Sequence, residues 1–290
     1  MNTDSYLTLP GTPELAYRTS HTPVGSPLVL LHGLSADSSS WGPVIERFSD
    51  SWRIYGLDFR GHGFSSHSSG SYRLADYVHD AQRLLEEIGE PAIVVGHSLG
   101  AIVAAALAQD LHPYVRSVVL EDPPLYVVEP LVFADHSLGR AFKVLREHVT
   151  RLQARQAPID AYRELLAAAP HPSGDTQGDH LHPDALWSRA RSLSLMDPDA
   201  MTAVLEGRTF EAYKPDRPFA CPAMIMRAEP GYGAAFLPEH ETRLRTAATQ
   251  ATIVPMPGSG HNIRGDMATR TRYVDVLAEF LAGKHIVPTG

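Results

Sequence analysis

Cysteine is nearly absent: Cys221 is the only one in 290 residues, so no disulfide framework can form within the chain and a secreted role would have to do without one. Long apolar runs are missing too, none approaching the roughly 18 residues of a membrane-spanning helix. Positive charge is in deficit. With 25 Lys and Arg against 33 Asp and Glu the net charge is -8, which disfavours nucleic acid or an anionic membrane as a partner. The opening residues Met1-Asn2-Thr3-Asp4-Ser5 carry no basic segment followed by an apolar one, so no signal peptide is expected and a cytoplasmic location is. There is no internal repeat or coiled-coil heptad. His171, His180 and His182 fit no metal-ligand spacing and read as a solvated loop, so no metal is expected.

What remains is ordinary globular composition, 43% hydrophobic and 20% charged, in a chain long enough for one large α/β domain. Its most informative stretch is 92–108. An apolar run rich in β-branched residues is broken by Gly96-His97-Ser98-Leu99-Gly100 and followed by an alanine-rich segment, the pattern of a buried strand, a one-residue pivot and a helix. A serine on such a pivot is displayed at a sharp, strained turn, with small neighbours at 96 and 100 and the first free helix amide, that of Leu99, beside its hydroxyl.

Around this centre the chain alternates. Short alternating segments at 6–9 and 14–18 predict an N-terminal hairpin, and continuous apolar runs predict buried strands at 27–31, 52–58 and 115–122. Apolar residues at Leu74, Tyr77, Val78, Ala81, Leu84, Leu85 and Ile88 predict an amphipathic helix closed by Gly89. Between 125 and 215 the rhythm changes to helical segments, at 131–156, 160–169 and 184–206 with a break at Asp197-Pro198, separated by a polar, mobile-looking loop at 170–180. Strands at 223–227 and 251–256, with helices at 238–247 and 266–281, complete the pattern. The domain reading is a core of 1–124 and 216–290 with a helical insertion at 125–215.

Alternating strands and helices make a doubly wound, mostly parallel sheet, which binds ligands at the carboxyl ends of its strands. His32-Gly33, Asp58, Ser98, Asp122, Glu229 and His261 all follow predicted strands and therefore share one rim. Four pieces in this order, Leu31-His32-Gly33-Leu34, Asp58-Phe59-Arg60-Gly61-His62-Gly63-Phe64-Ser65, Gly96-His97-Ser98-Leu99-Gly100 and Gly258-Ser259-Gly260-His261-Asn262, resemble the α/β-hydrolase family over essentially the whole chain, with the insertion in the position of the family's cap.

The resemblance implies a cofactor-free serine hydrolase. Ser98 would be the nucleophile, His261 its base, and the backbone amides of Leu34 and Leu99 the oxyanion hole. The third member departs from the family's commonest pattern. Its aspartate usually follows the penultimate strand, where this chain reads Met226-Arg227-Ala228-Glu229-Pro230-Gly231-Tyr232-Gly233. Two acids remain open: Asp122, at the end of the preceding core strand and favoured, and Glu229. Glu121 is the weaker neighbour because adjacent strand residues face opposite ways. Asp58, Arg60 and His62 match a loop read as structural, and His97 reads as a packing residue. Trp187, Met196, Met201, Phe210, Phe133 and Leu138 are candidates to line an acyl or ring pocket or simply to fill the cap.

The expected substrate is a small-molecule ester or lactone with an apolar moiety. A C–C bond hydrolase, an amidase and a non-hydrolytic receptor stay open, as does homo-oligomer formation.

Overall fold

Strands that are apolar at every position need cover on both faces, and the computed structural model, described here for residues 5–20, 25–110, 112–127, 136–207 and 211–284, supplies it. The strands are β1 (Ser5–Leu9), β2 (Leu15–Thr19), β3 (Pro27–Leu31), β4 (Arg53–Leu57), β5 (Ala92–His97), β6 (Val115–Glu121), β7 (Ala223–Arg227) and β8 (Thr252–Pro255). They form one eight-stranded sheet in the order β1-β2-β4-β3-β5-β6-β7-β8. Only β1 with β2 and β2 with β4 pair antiparallel; β4 onward is parallel. The hairpin forms as its alternation predicts.

Period-two alternation sorts the strand residues between two cores. Val29, Leu31, Val94, Val118, Leu120 and Ile225 face α2 (Leu74–Ile88) and α3 (Leu99–Gln109). Leu28, Leu30, Ile93, Val95, Val119 and Met224 face a second cluster holding Ile45 and Phe48 of α1 (Gly42–Phe48) and Tyr273, Val276 and Leu277 near the C-terminus. The helix α2 buries the face its spacing marks and stops at Gly89, which takes the left-handed φ of +66° that a side chain disfavours. All eleven residues of α3 are buried, which explains why its sequence is almost free of polar groups.

Between β6 and β7 the described chain is helical: α4 (Ser137–Ala154), α5 (Ile159–Ala167), α6 (Gln177–His180), α7 (Pro183–Leu195) and α8 (Pro198–Leu205). Their inner residues, among them Val149, Leu152, Leu166, Ala190, Leu193, Met196 and Met201, join the sheet-side cluster, so this region packs on the core. The break at Asp197-Pro198 also anchors it: Asp197 caps α8 through Asp199 N–H (3.0 Å) and accepts the hydroxyls of Ser69 and Tyr72, each at 2.7 Å. After β7 come α9 (Pro238–Ala247) and α10 (Arg270–Leu281). The last helix starts four residues later than its apolar spacing predicts, because Asp266 lies in the turn before it and accepts from Ala268 N–H (3.0 Å). Among the described residues no helix is long and apolar enough to cross a membrane.

Candidate active site

Ser98 lies between β5 and α3 with φ 53° and ψ -114°, a backbone conformation rarely adopted by a residue with a side chain. Close packing holds it there. A Cβ at Gly96 would lie 2.2 Å from the Gly100 carbonyl oxygen, and one at Gly100 would lie 2.1 Å from that of Leu31, so both positions must be glycine for strand and helix to meet. Gly33 serves the same end: its Cβ would come within 2.8 Å of His97 Nδ1 and 3.2 Å of Ser98 Cβ, so the backbone leading to Leu34 lies against the serine. The Leu34 and Leu99 amides donate to no acceptor among the described residues, while the next amide, Gly100 N–H, is taken by His32 O at 3.1 Å. Both are free to meet a negative oxygen.

His261 Nε2 lies 2.9 Å from Ser98 Oγ, and its Nδ1 lies 2.6 Å from Asp122 Oδ2. Asp122 is fully buried just past β6, at φ 39°, and its backbone N–H donates to Met226 O on β7 (2.8 Å). Its Oδ2 also accepts from Ala235 N–H (2.8 Å), and its Oδ1 from Phe236 N–H (3.2 Å) and Ala228 N–H (3.4 Å). A carboxylate ringed by donors accepts from His261 too, which puts the imidazole proton on Nδ1 and leaves Nε2 to accept the Ser98 hydroxyl.

Of the two acids left open by the sequence, Asp122 is the one beside His261. Glu229 instead accepts from Gly258 N–H (2.6 Å) and donates its own N–H to Ser259 O (3.0 Å), tying the β7 loop to the loop that carries His261. Glu121 faces away, as alternation requires, and is buried against the Arg264 guanidinium, whose backbone N–H it also accepts at 3.1 Å. Burial pushes the Glu121 carboxyl upward and Arg264 opposes it. Arg264 also stacks 3.9 Å above the Trp41 ring, so the segment just after His261 is pinned to the opposite side of the sheet. Nothing in the local pattern marks Arg264; only an acid at the end of a buried strand hints that a cation must meet it.

His97 donates from Nε2 to the His261 carbonyl (3.0 Å). Burial, then the charges of Arg264 and His261, hold its pKa well below the ordinary histidine value, so it braces the loop as a neutral ring. Asp58 and His62 also act on backbone, and Arg60 on a neighbouring carboxylate. Asp58 accepts from Ser38 N–H (2.8 Å) and Phe64 N–H (2.9 Å), with its carboxyl pushed up to about 6 by burial and then by Asp37. Arg60 forks onto Asp80 (2.9 and 2.6 Å). The His62 ring sits 2.6 Å from Leu34 O and thereby fixes the backbone just after Gly33.

Above Ser98 opens a cavity of about 1600 Å³ between the sheet rim and the helical region, with apolar walls from Ile45, Leu138, Leu145, Leu165 and Trp187. Of the pocket candidates named above, Trp187 and Leu138 line it; Met196 and Met201 are instead buried in the cluster between the helical region and the sheet, and Phe133 and Phe210 lie outside the described residues. The reading of 170–182 as solvated needs correction at His171. That ring is 5% exposed, stacks on His180 at 3.7 Å and meets Tyr232 edge-on at 5.2 Å, because a Pro170 to Thr176 bridge folds the loop back onto the cavity wall. Polar composition concealed this: the apolar partner, Tyr232, lies some sixty residues away in sequence.

A sharp strand-to-helix turn bearing serine on a mostly parallel sheet defines a class, and the chain has the α/β-hydrolase fold. The sequence profile described as alpha/beta hydrolase fold matches residues 26–168. Among curated relatives, the chain is 34% identical over 149 residues to 2-(acetamidomethylene)succinate hydrolase of Mesorhizobium japonicum, covering 48% of this chain and 52% of that protein. It is 33% identical over 164 residues to pimeloyl-(acyl-carrier protein) methyl ester esterase of Vibrio vulnificus, covering 51% and 63%. The chain thus spans between half and two thirds of the length of these relatives. A crystal structure of E-2-(acetamidomethylene)succinate hydrolase superposes with a TM-score of 0.70 at 21% identity, covering 96% of this chain and all of that one.

Proposed function

We propose that the protein is a hydrolase that cleaves a carboxylic ester or lactone with an apolar moiety through a covalent acyl-enzyme on Ser98. The observation that carries this reading is the continuous relay of Asp122, His261 and Ser98 at 2.6 and 2.9 Å, at the floor of a largely apolar cavity. Ser98 Oγ attacks the carbonyl carbon while His261 Nε2 takes the hydroxyl proton. Asp122 holds the imidazole by its Nδ1–H and stabilises the imidazolium that forms. The Leu34 and Leu99 amides receive the oxyanion, and removing one such donor in enzymes of this chemistry costs about 10²–10³-fold in kcat. His261 then gives its proton to the leaving oxygen. Water attacks the acyl-enzyme by the same path, its proton passing through His261 back to Ser98.

The esterase relative supports ester cleavage, whereas a relative named for an acetamidomethylene substrate favours a second reading, an amide-like bond cut by the same residues. The test is labelling with a fluorophosphonate, read by intact mass, in the parent and in Ser98→Ala, alongside a panel of 4-nitrophenyl esters, lactones and acyl amides. The expected result is one adduct, absent from Ser98→Ala, with turnover of esters or lactones. Turnover confined to amides would select the second reading. No adduct and no turnover would leave a ligand-binding protein that retains the fold.

A further inference from the structure

One cation in the cavity wall has no acid to answer it. Arg189, on α7, is partly buried and faces the same cavity as Ser98. Its only hydrogen bond runs from Nε to Ser35 Oγ at 3.2 Å, and no carboxylate pairs with it among the described residues. The other cavity cations are engaged. Arg191 reaches Asp37 (3.2 Å), Arg270 reaches Asp184 (3.5 Å) and Arg264 pairs with Glu121, while Arg18 and Arg140 have partners of their own. Two of the cavity's acids are occupied as well, for Asp266 accepts the Gly260 amide (3.4 Å) and Asp184 takes Arg270, while the third, Glu46, is exposed and makes no ion pair with Arg189.

We infer that Arg189 is the receptor for a carboxylate on the substrate, so that this site is built for an anionic, amphiphilic acyl compound, apolar in part and bearing a free acid besides its scissile carbonyl. The inference rests on the hydrolase reading above and sharpens its substrate class. Three observations place the anion. Ser35, which holds the guanidinium, adjoins Leu34, whose amide receives the oxyanion in the hydrolase reading above, so on that reading charge recognition and oxyanion binding share one turn. The guanidinium is also among the charges that hold His97, the neighbour of Ser98, in its neutral form. Burial with no compensating acid pushes the Arg189 pKa down to about 10, a desolvation that a bound carboxylate would reverse. The guanidinium keeps its Nη1/Nη2 edge, with two parallel N–H donors, for such a ligand even while Nε holds Ser35.

The test compares 4-nitrophenyl hydrogen adipate with 4-nitrophenyl methyl adipate, which differ only in whether the remote end is charged, as a ratio of kcat/KM. The parent is expected to favour the hydrogen adipate. In Arg189→Gln that ratio should fall by roughly 10- to 100-fold, the range for a charge-assisted hydrogen bond pair, with Arg189→Lys intermediate because it keeps charge without the fork. A parent ratio at or below one, or a ratio unchanged in folded Arg189→Gln, overturns the inference. Should the variants not fold, the parent alone decides: adipate should slow fluorophosphonate labelling of Ser98 and adipamide should not, and equal effects of the two overturn it. Should neither ester nor probe react, the hydrolase reading fails by itself. Calorimetric titration of adipate into the parent then still tests the anion site, and absence of binding rejects it.

Discussion

Replacing Asp122 with asparagine isolates what its charge does, because asparagine tolerates the left-handed φ of 39° and preserves shape. Asp122 presents one oxygen to Phe236 and Ala228 N–H and the other to Ala235 N–H and His261 Nδ1. Only one of the two can remain an acceptor. An NH2 group on the Oδ1 side would oppose two amides at 3.2 and 3.4 Å. On the Oδ2 side it opposes one amide at 2.8 Å and faces His261, which can answer by moving its proton to Nε2. That second arrangement turns the ring into a donor towards Ser98 and removes the base. Loss of the base by tautomer reversal costs about 10³–10⁴-fold in kcat, or roughly 4–5.5 kcal/mol of transition-state stabilisation. The opposed amide costs about 1–3 kcal/mol of folding stability, a few degrees of melting temperature for a chain of this size. Glu229→Gln keeps an oxygen for Gly258 N–H and should change kcat by less than about threefold. The assay is turnover of a 4-nitrophenyl ester, with adduct formation by intact mass and a thermal melt to separate chemistry from unfolding. Retention of more than a tenth of kcat in folded Asp122→Asn, or a larger loss in Glu229→Gln, would refute the assignment of the acid.

Gly100→Ala should cost more than about 3 kcal/mol in urea unfolding or abolish soluble protein, since its Cβ would meet the Leu31 carbonyl at 2.1 Å; a loss under 1 kcal/mol would contradict the packing of the Ser98 turn. Arg264→Met leaves Glu121 buried without its cation and should lower stability by about 3–5 kcal/mol, and a melting temperature equal to the parent's would show that the pair carries no such weight. His97 is held neutral in the fold with a pKa well below 6.5, so below that pH the unfolded chain binds the extra proton. Its contribution is therefore complete above about pH 6.5 and is lost as pH falls beneath it. Between pH 6.5 and 5.5 the parent should lose up to about 1 kcal/mol more stability than His97→Asn, and parallel profiles of the two would count against a neutral buried His97.

Local signals carried most of the architecture. Continuous apolar runs located the parallel strands, a 3.6-residue spacing bounded α2, and two glycines flanking a serine announced the turn at Ser98, because each of these is enforced by contacts within a few residues. The acid resisted for the opposite reason. Whether Asp122 or Glu229 meets His261 depends on where three loops converge, and 139 residues separate Asp122 from the ring it touches. Arg264 and Arg189 were invisible for the same cause: their partners, or the lack of one, exist only once the helical region and the sheet are folded together. His171 shows the limit of composition, since a polar loop can bury its histidine when a distant tyrosine completes the wall.

Placing the acid at the end of β6 changes what evolution or an engineer can do with the loop after β7. Residues 228, 235 and 236 hold Asp122 through main-chain amides alone, so their side chains are not dictated by that duty. Tyr232, on the same loop, meets the cavity with its ring and carries none of the relay. The segment is thus a cartridge whose backbone trace must be kept while its cavity-facing letter can be rewritten, and libraries at Tyr232 can retune what the cavity admits without dismantling the proton path.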